Sequence, residues 1–184
     1  MERFLLVAAT AAEAAYLPED IPLVITGIGK TAAATVTAKA LAADPDPAGL
    51  TVLNVGTAGA LHDGLEGLHL PGAVLNHDIS AAAIRALGHD PWERLAIPGG
   101  DETVLASGDV FVSDAGVRSR LAEQAQLVDM EGYAVAFAAA AFGARVELVK
   151  HVSDNADESA FDWPAQVDAS AKVLGSWVRE RVAR

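Results

Sequence analysis

The chain has 184 residues, 52% of them hydrophobic and 21% charged, which suits one domain with its own core, residues 1–184, and excludes disorder. Thirteen Lys and Arg against 25 Asp and Glu give a net charge of -12. This charge repels phosphate groups, so neither a nucleic acid nor an anionic membrane is expected as a partner. No cysteine is present, which excludes disulfides, thiolate metal sites and a cysteine nucleophile.

Short apolar runs alternate with segments of helical length along the chain. The helices are predicted at 30–43, 114–124, 132–142 and 164–182, and the strands at 4–9, 22–26, 51–55, 72–76, 103–107, 125–130 and 146–152. This alternation predicts an α/β fold with a largely parallel, buried sheet.

The apolar start of the chain is too short to be a targeting segment. Glu13 and the acidic stretch 18–20 interrupt it, and no run of about 18 apolar residues occurs elsewhere. We therefore expect no signal peptide, no membrane span and a cytoplasmic location.

Two glycine-rich segments follow predicted strands. Residues 27–30 (GIGK) open the first helix, and residues 54–61 (NVGTAGAL) are predicted to form a second turn beside the same ligand pocket. A Walker A site is rejected because Val24 stands where that motif needs glycine. A dinucleotide site is disfavoured because Gly56 and Thr57, rather than an acid that could hold a ribose, follow the next strand.

Acidic residues lie at the ends of two further strands. Asp129 and Glu131 precede a helix that is apolar all round, and Asp154 follows the strand 146–152. Because burial of an unpaired carboxylate costs several kcal/mol, a functional role is favoured for the first pair over a favourable interaction with the helix dipole. Asp154 is either functional or a helix cap, and Glu13 taken alone is typical of a surface residue. The five histidines show no metal-ligand spacing, so no metal is expected.

Seven segments in this order resemble the family of purine nucleoside phosphorylases and nucleosidases. They are residues 7–13, TGIGKTAAA from Thr26, NVGTAGAL from Asn54, HD at His77, SGDVF from Ser107, VDMEG from Val128 and VSDNAD from Val152. The likeness is greatest to bacterial nucleosidases that hydrolyse methylthioadenosine and S-adenosylhomocysteine. It implies a three-layer sandwich with a twisted, mixed, largely parallel sheet, a ligand cleft at the strand ends, a homodimer, and no cofactor.

The resemblance also implies roles for individual residues in cleaving a nucleoside. Asp154 would protonate the departing purine, Glu131 would hold the ribose hydroxyls, and Glu13 would activate water. Phe111 would stack on the base, and Ser153 would position Asp154. The remaining substrate-binding residues by this likeness are Thr57, Ala58, Gly59, Val112, Met130 and Lys150, of which Lys150 replaces an arginine that helps to hold the water.

Hydrolysis is favoured over phosphorolysis. Phosphorolytic relatives carry arginines for phosphate, one of them just before the second glycine-rich segment, whereas this chain has Leu53, Asn54 and Val55 there. Glu13 would repel phosphate. The alternatives are another purine nucleosidase, such as one acting on futalosine, a phosphorylase, and a nucleoside-binding protein without turnover. Residues 73–103 are shorter than in typical relatives, where this region helps to form the pocket for the 5' substituent and the dimer contact.

Overall fold

Strands and helices alternate along residues 2–184, which the computed structural model describes except for the side chains of Ser159, Asp162 and Pro164. The strands are β1 (Arg3–Ala8), β2 (Leu23–Ile25), β3 (Leu50–Ala60), β4 (Leu68–His69), β5 (Pro71–Asn76), β6 (Arg94–Ala96), β7 (Asp101–Ser107), β8 (Leu127–Asp129) and β9 (Arg145–Asp154). The helices are α1 (Lys30–Ala43), α2 (Ala81–Ala86), α3 (Ala115–Ala122), α4 (Gly132–Ala141) and α5 (Trp163–Val182), with 3-10 turns at Pro47–Gly49 and Glu158–Asp162. All seven predicted strands and all four predicted helices are confirmed.

The strands form one mixed sheet in the order β2-β1-β3-β8-β7-β5-β6, with β9 pairing with β3 and β4. Five strand pairs are parallel, among them β1 with β3 and β3 with β9, and three are antiparallel. The long strand β3 pairs with β1 along its first five residues, with β9 from Thr51 to Gly59, and with β8 only at Gly59 and Ala60. It therefore joins the two halves of the sheet.

Alternate side chains of β1 enter different layers of the core. Leu5 and Val7 pack with α1 and α4 on one face of the sheet, whereas Phe4 and Leu6 pack with Leu174 and Val178 of α5 on the other. This period of two, with helices on both faces, produces the expected three-layer sandwich. No helix in the described part of the chain is long and apolar enough to cross a membrane.

The glycine-rich segment 54–61 differs from the prediction, because it is not a turn. β3 continues through it to Ala60, with a register shift against β9 between Ala58 and Gly59. Gly56 and Gly59 leave room for side chains of the site instead of reversing the chain. A Cβ at Gly56 would lie 3.1 Å from Glu13 Oε1, and a Cβ at Gly59 would lie 2.9 Å from the Ala156 Cβ.

Short elements were missed within residues 68–96. The sequence there lacks a long periodic pattern, yet the structure forms β4, α2 and β6, which have two, six and three residues. Tertiary pairing rather than local propensity stabilises such short strands: β4 pairs with β9, and β6 pairs with β5.

Candidate active site

A cleft of about 520 Å³ opens where β1, β3, β8 and β9 end. It lies at the strand ends, where open α/β sheets place their ligands. Ten of the eleven predicted site residues line it: Glu13, Thr57, Ala58, Gly59, Phe111, Val112, Met130, Glu131, Ser153 and Asp154. The fold thus brings together carboxylates that are more than 100 positions apart in the chain.

Glu13 is buried and held by two threonines. Its Oε2 accepts hydrogen bonds from the backbone N–H of Thr10 at 3.1 Å and from the Thr10 hydroxyl at 3.0 Å. Its Oε1 accepts from the backbone N–H and the hydroxyl of Thr57, both at 2.9 Å. The backbone N–H of Glu13 donates in turn to Thr10 Oγ1 at 3.2 Å, which completes the reciprocal pattern of a capping box.

Two residues of this arrangement were missed in the sequence, Thr10 and Trp163. The indole Nε1 of Trp163 donates to Thr57 Oγ1 at 2.8 Å, and its ring lines the cleft. The Thr-x-x-Glu spacing of residues 10–13 is a recognisable local signal for the first contact. No local signal exists for the second, because Trp163 and Thr57 are 106 positions apart.

Glu131 also lines the cleft and is also buried. Its Oε1 accepts a hydrogen bond of 2.8 Å from the backbone N–H of Gly29, at the start of α1. Burial, together with the charge of Asp129, raises the pKa of Glu131 to about 7, although the Gly29 hydrogen bond and Lys150 act in the opposite direction. Glu131 is therefore close to its midpoint of ionisation at neutral pH in the unliganded protein.

Lys150 lies behind the cleft wall and not among the lining residues. Its side chain is 2% exposed, and its Nζ lies 2.8 Å from Asp129 Oδ2. Asp129 also accepts hydrogen bonds from the backbone N–H of Gly132 at 2.9 Å and from the hydroxyl of Ser107. The lysine predicted to contact substrate is thus a partner of Asp129 in a buried ion pair, within the same carboxylate-rich region.

Asp154 is the last residue of β9, and hydrogen bonds from neighbouring residues orient its carboxylate. Ser153 Oγ donates to Asp154 Oδ2 at 2.7 Å, and the backbone N–H of Ala156 donates to Oδ1 at 2.8 Å. A Cβ at Gly59 would lie 3.0 Å from Asp154 Oδ1, so this glycine leaves the space that the carboxylate needs. The predicted pairing of Ser153 with Asp154 is present in the geometry.

The mouth of the cleft is apolar. Phe111 and Phe161 are both exposed, with ring centroids 5.6 Å apart, and Ile28 and Val110 are exposed beside them. Exposed aromatic faces next to buried carboxylates suit a ligand with a flat ring system and several hydroxyls. Among the described residues, no cluster of three or more His, Asp or Glu side chains could hold a metal ion.

Comparisons with known proteins find relatives in sequence and in fold. The aminodeoxyfutalosine nucleosidase of Helicobacter pylori J99 is 42% identical over 86 residues, a segment that is 43% of this chain and 37% of that protein. The match therefore spans well under half the length of this relative. Residues 17–180 match the family model described as the phosphorylase superfamily.

Solved structures share the whole fold at low identity. The 5'-methylthioadenosine/S-adenosylhomocysteine nucleosidase of Helicobacter pylori, with butyl-thio-DADMe-Immucillin-A, superposes with a TM-score of 0.86 at 23% identity, covering 100% of this chain and 98% of that one. The futalosine hydrolase of Helicobacter pylori gives 0.83 at 22% identity, covering 99% and 97%. These likenesses show the fold, and the family match over most of the sequence goes further: the chain belongs to the phosphorylase superfamily.

Proposed function

We propose that this protein is a hydrolase that cleaves the N-glycosidic bond of a purine nucleoside and releases the free base. The observation that carries the proposal is the convergence of Glu13, Glu131 and Asp154 on one cleft with an aromatic mouth. Enzymes that cleave glycosidic bonds commonly use two carboxyl groups in different environments, one as the acid and the other as the base.

In the proposed reaction, Asp154 donates a proton to the purine while the bond from the base nitrogen to the sugar carbon breaks and its electrons leave with the base. The sugar becomes positively charged, and the nearby carboxylates stabilise that charge. Glu131, once ionised, accepts hydrogen bonds from the ribose hydroxyls. Water then adds to the sugar carbon, and Glu13 accepts its proton.

Water is favoured over phosphate by the charges of the cleft. Its lining includes the carboxylates of Glu13, Asp129, Glu131 and Asp154, and no Lys or Arg is among the described lining residues. Phosphate binding generally uses cationic side chains or a cluster of backbone N–H groups. The nearby cation Lys150 is already paired with Asp129, so a phosphate would meet uncompensated negative charge.

Two substrate classes are proposed, both purine nucleosides with a substituent at the 5' position. Methylthioadenosine and S-adenosylhomocysteine follow from the sequence resemblance. Aminodeoxyfutalosine is favoured by the curated relative, which is named for that substrate and is 42% identical over the matched segment. The exposed apolar side chains of Ile28, Val110 and Phe161, beside Phe111, are suited to an apolar or aromatic 5' group.

A homodimer is also proposed. Trp92 and Phe137 are exposed and contact each other edge-to-face with ring centroids 6.3 Å apart, and Phe137 stacks on Tyr133. An exposed aromatic cluster on α4 and the α2–β6 connection suits a contact with a second copy of the chain. Light scattering during gel filtration tests this, with Phe137→Ser expected to shift the mass towards the monomer. A cytoplasmic location is part of the same proposal and is tested by cell fractionation.

Base release from a nucleoside panel tests the activity. The panel is methylthioadenosine, S-adenosylhomocysteine, aminodeoxyfutalosine, futalosine, adenosine and inosine, each with and without phosphate. Release of free base at equal rates in both conditions supports a nucleosidase and identifies the substrate. Strict dependence on phosphate would make the protein a phosphorylase. A rise in melting temperature without base release would make it a binding protein.

Asp154→Asn tests the proposed proton donor. The variant keeps the size of the side chain and an acceptor for Ser153 or Ala156, but it cannot donate an acid proton, so kcat is expected to fall by ~10²- to 10⁴-fold. Asp63→Asn is the matched control, because Asp63 is 95% exposed and pairs with Arg118 on the surface. A rate within a few fold of wild type for Asp154→Asn would remove Asp154 from the mechanism.

A further inference from the structure

The carboxylate of Glu13 is oriented from two sides. Each of its oxygens accepts one backbone N–H and one threonine hydroxyl, with Thr10 on Oε2 and Thr57 on Oε1. A hydroxyl has a single proton and can rotate, so it orients a carboxylate only if something else determines where that proton points. The N–H partners of the two hydroxyls therefore matter.

Both hydroxyls have such a partner. On the Oε2 side, the backbone N–H of Glu13 donates to Thr10 Oγ1 at 3.2 Å. On the Oε1 side, the indole N–H of Trp163 donates to Thr57 Oγ1 at 2.8 Å. An indole N–H can only donate, so Thr57 Oγ1 must accept from Trp163, and its own proton is left for Glu13.

The N–H groups that donate to the two threonine hydroxyls come from different distances along the chain. The Thr10 contact is local, three positions along the chain, and needs only the turn that residues 10–13 form. Trp163 is instead the first residue of α5 and follows Asp154, at the end of β9, by only nine positions. One side of the Glu13 environment therefore depends on how the segment after Asp154 is placed over the cleft.

We propose that Trp163 is a positioning residue: by donating to Thr57 it directs the Thr57 hydroxyl proton onto Glu13 and so orients the carboxylate that activates water. This inference rests on the proposed hydrolysis, in which Glu13 has that role. Trp163 acts through Thr57 and not on the reacting atoms. Without the indole N–H, the Thr57 hydroxyl rotates freely, and Oε1 keeps only the backbone N–H as a fixed donor.

The kinetic test uses Trp163→Phe, which removes the N–H and keeps an aromatic ring. Loss of the hydrogen bond from Trp163 to the Thr57 hydroxyl is expected to lower kcat by ~3- to 10-fold. KM is expected to change by less than about twofold. Trp177→Phe is the matched control, because Trp177 is on the same helix and packs in the core around Leu174 and Val178. A change in KM with unchanged kcat would assign Trp163 to substrate binding and overturn the proposal.

A double-variant cycle shows whether the effect passes through Thr57. In a Thr57→Val background the hydroxyl is absent, so adding Trp163→Phe is expected to cause no further loss of kcat. In a Thr57→Ser background the hydroxyl is present, so adding Trp163→Phe is expected to lower kcat as much as it does in the wild-type protein. Equal losses from Trp163→Phe in both backgrounds would mean that the ring acts independently of Thr57.

An NMR measurement tests the contact without relying on activity. The chain has three tryptophans, so the indole N–H region of its spectrum contains three signals. The signal that is absent in Trp163→Phe is that of Trp163. Thr57→Val is expected to shift the Trp163 signal and leave those of Trp92 and Trp177 in place. An unmoved signal would overturn the proposal. Absence of base release from the wild-type protein would instead contradict the proposed function and leave this measurement valid.

Discussion

Glu13 and Glu131 face the same cleft with nearly equal exposure, 5% and 8%, yet their surroundings differ. Glu13 accepts four hydrogen bonds from two threonines. Glu131 accepts one within the described residues, from Gly29, and has Asp129 as an acidic neighbour that raises its pKa. The comparison teaches that donors and neighbouring charges, not burial alone, determine what a buried carboxylate can do.

The difference suits the two proposed roles. A base that activates water benefits from a fixed orientation, which four donors provide. A group that holds ribose hydroxyls must have acceptor capacity left for the ligand, and Glu131 has it. Because hydroxyl donors favour the charged form, a bound nucleoside is expected to lower the pKa of Glu131 from about 7 and complete its ionisation.

Glu13→Gln is expected to give the largest effect. The amide cannot accept the proton of water, and its NH₂ group would face N–H donors, so kcat is expected to fall by ~10²- to 10⁴-fold with a KM within a few fold of wild type. Steady-state kinetics with the best substrate measures both parameters. Glu102→Gln, an exposed position, is the control. Equal losses in kcat and in affinity would show that Glu13 shapes the pocket instead.

Lys150→Met tests the buried ion pair of Lys150 with Asp129. It leaves the charge of Asp129 buried without its partner, and the expected loss is ~3 to 5 kcal/mol in the free energy of unfolding, measured with urea. The double variant Lys150→Met with Asp129→Asn removes both charges and is expected to be more stable than Lys150→Met alone. A loss below about 1 kcal/mol in the single variant would contradict a fixed buried pair.

Glu131→Gln is expected to change how stability depends on pH. Burial and Asp129 raise the pKa of Glu131 from 4.5 to about 7, so the folded state holds a proton that the unfolded state releases between these values. The contribution of Glu131 to the free energy of unfolding is fully present below pH 4.5 and is lost as the pH rises through 7. The loss is up to about 3 kcal/mol.

The Gln variant removes that loss. Its melting temperature should therefore be close to that of wild type near pH 5 and higher by ~5 to 10 °C at pH 8. Calorimetry at the two pH values, with Glu102→Gln as control, measures the difference. An equal gain at both pH values would show that Glu131 is not protonated in the folded protein at neutral pH.

Much of the fold could be predicted from local patterns, and much of the site from those patterns together with the family resemblance. The alternation of short apolar runs with segments of helical length, which became α1, α3, α4 and α5, predicted an α/β fold. Glycine-rich segments and acids at strand ends pointed to the cleft, and ten of the eleven site residues that the family resemblance implies line it. The exception, Lys150, could not be placed by its strand position, because only the sheet brings it beside Asp129.

The sequence by itself determined the α/β alternation, the acidic residues at the strand ends and the Thr10 to Glu13 capping box, because these depend on composition and on neighbours within a few positions. Tertiary structure alone decided that β3 continues through its glycines, that Trp163 reaches Thr57, and that Glu131 and Glu13 have different donors. The physical reason is the same in each case. These contacts join residues distant in the chain, and the sheet must form before they can meet.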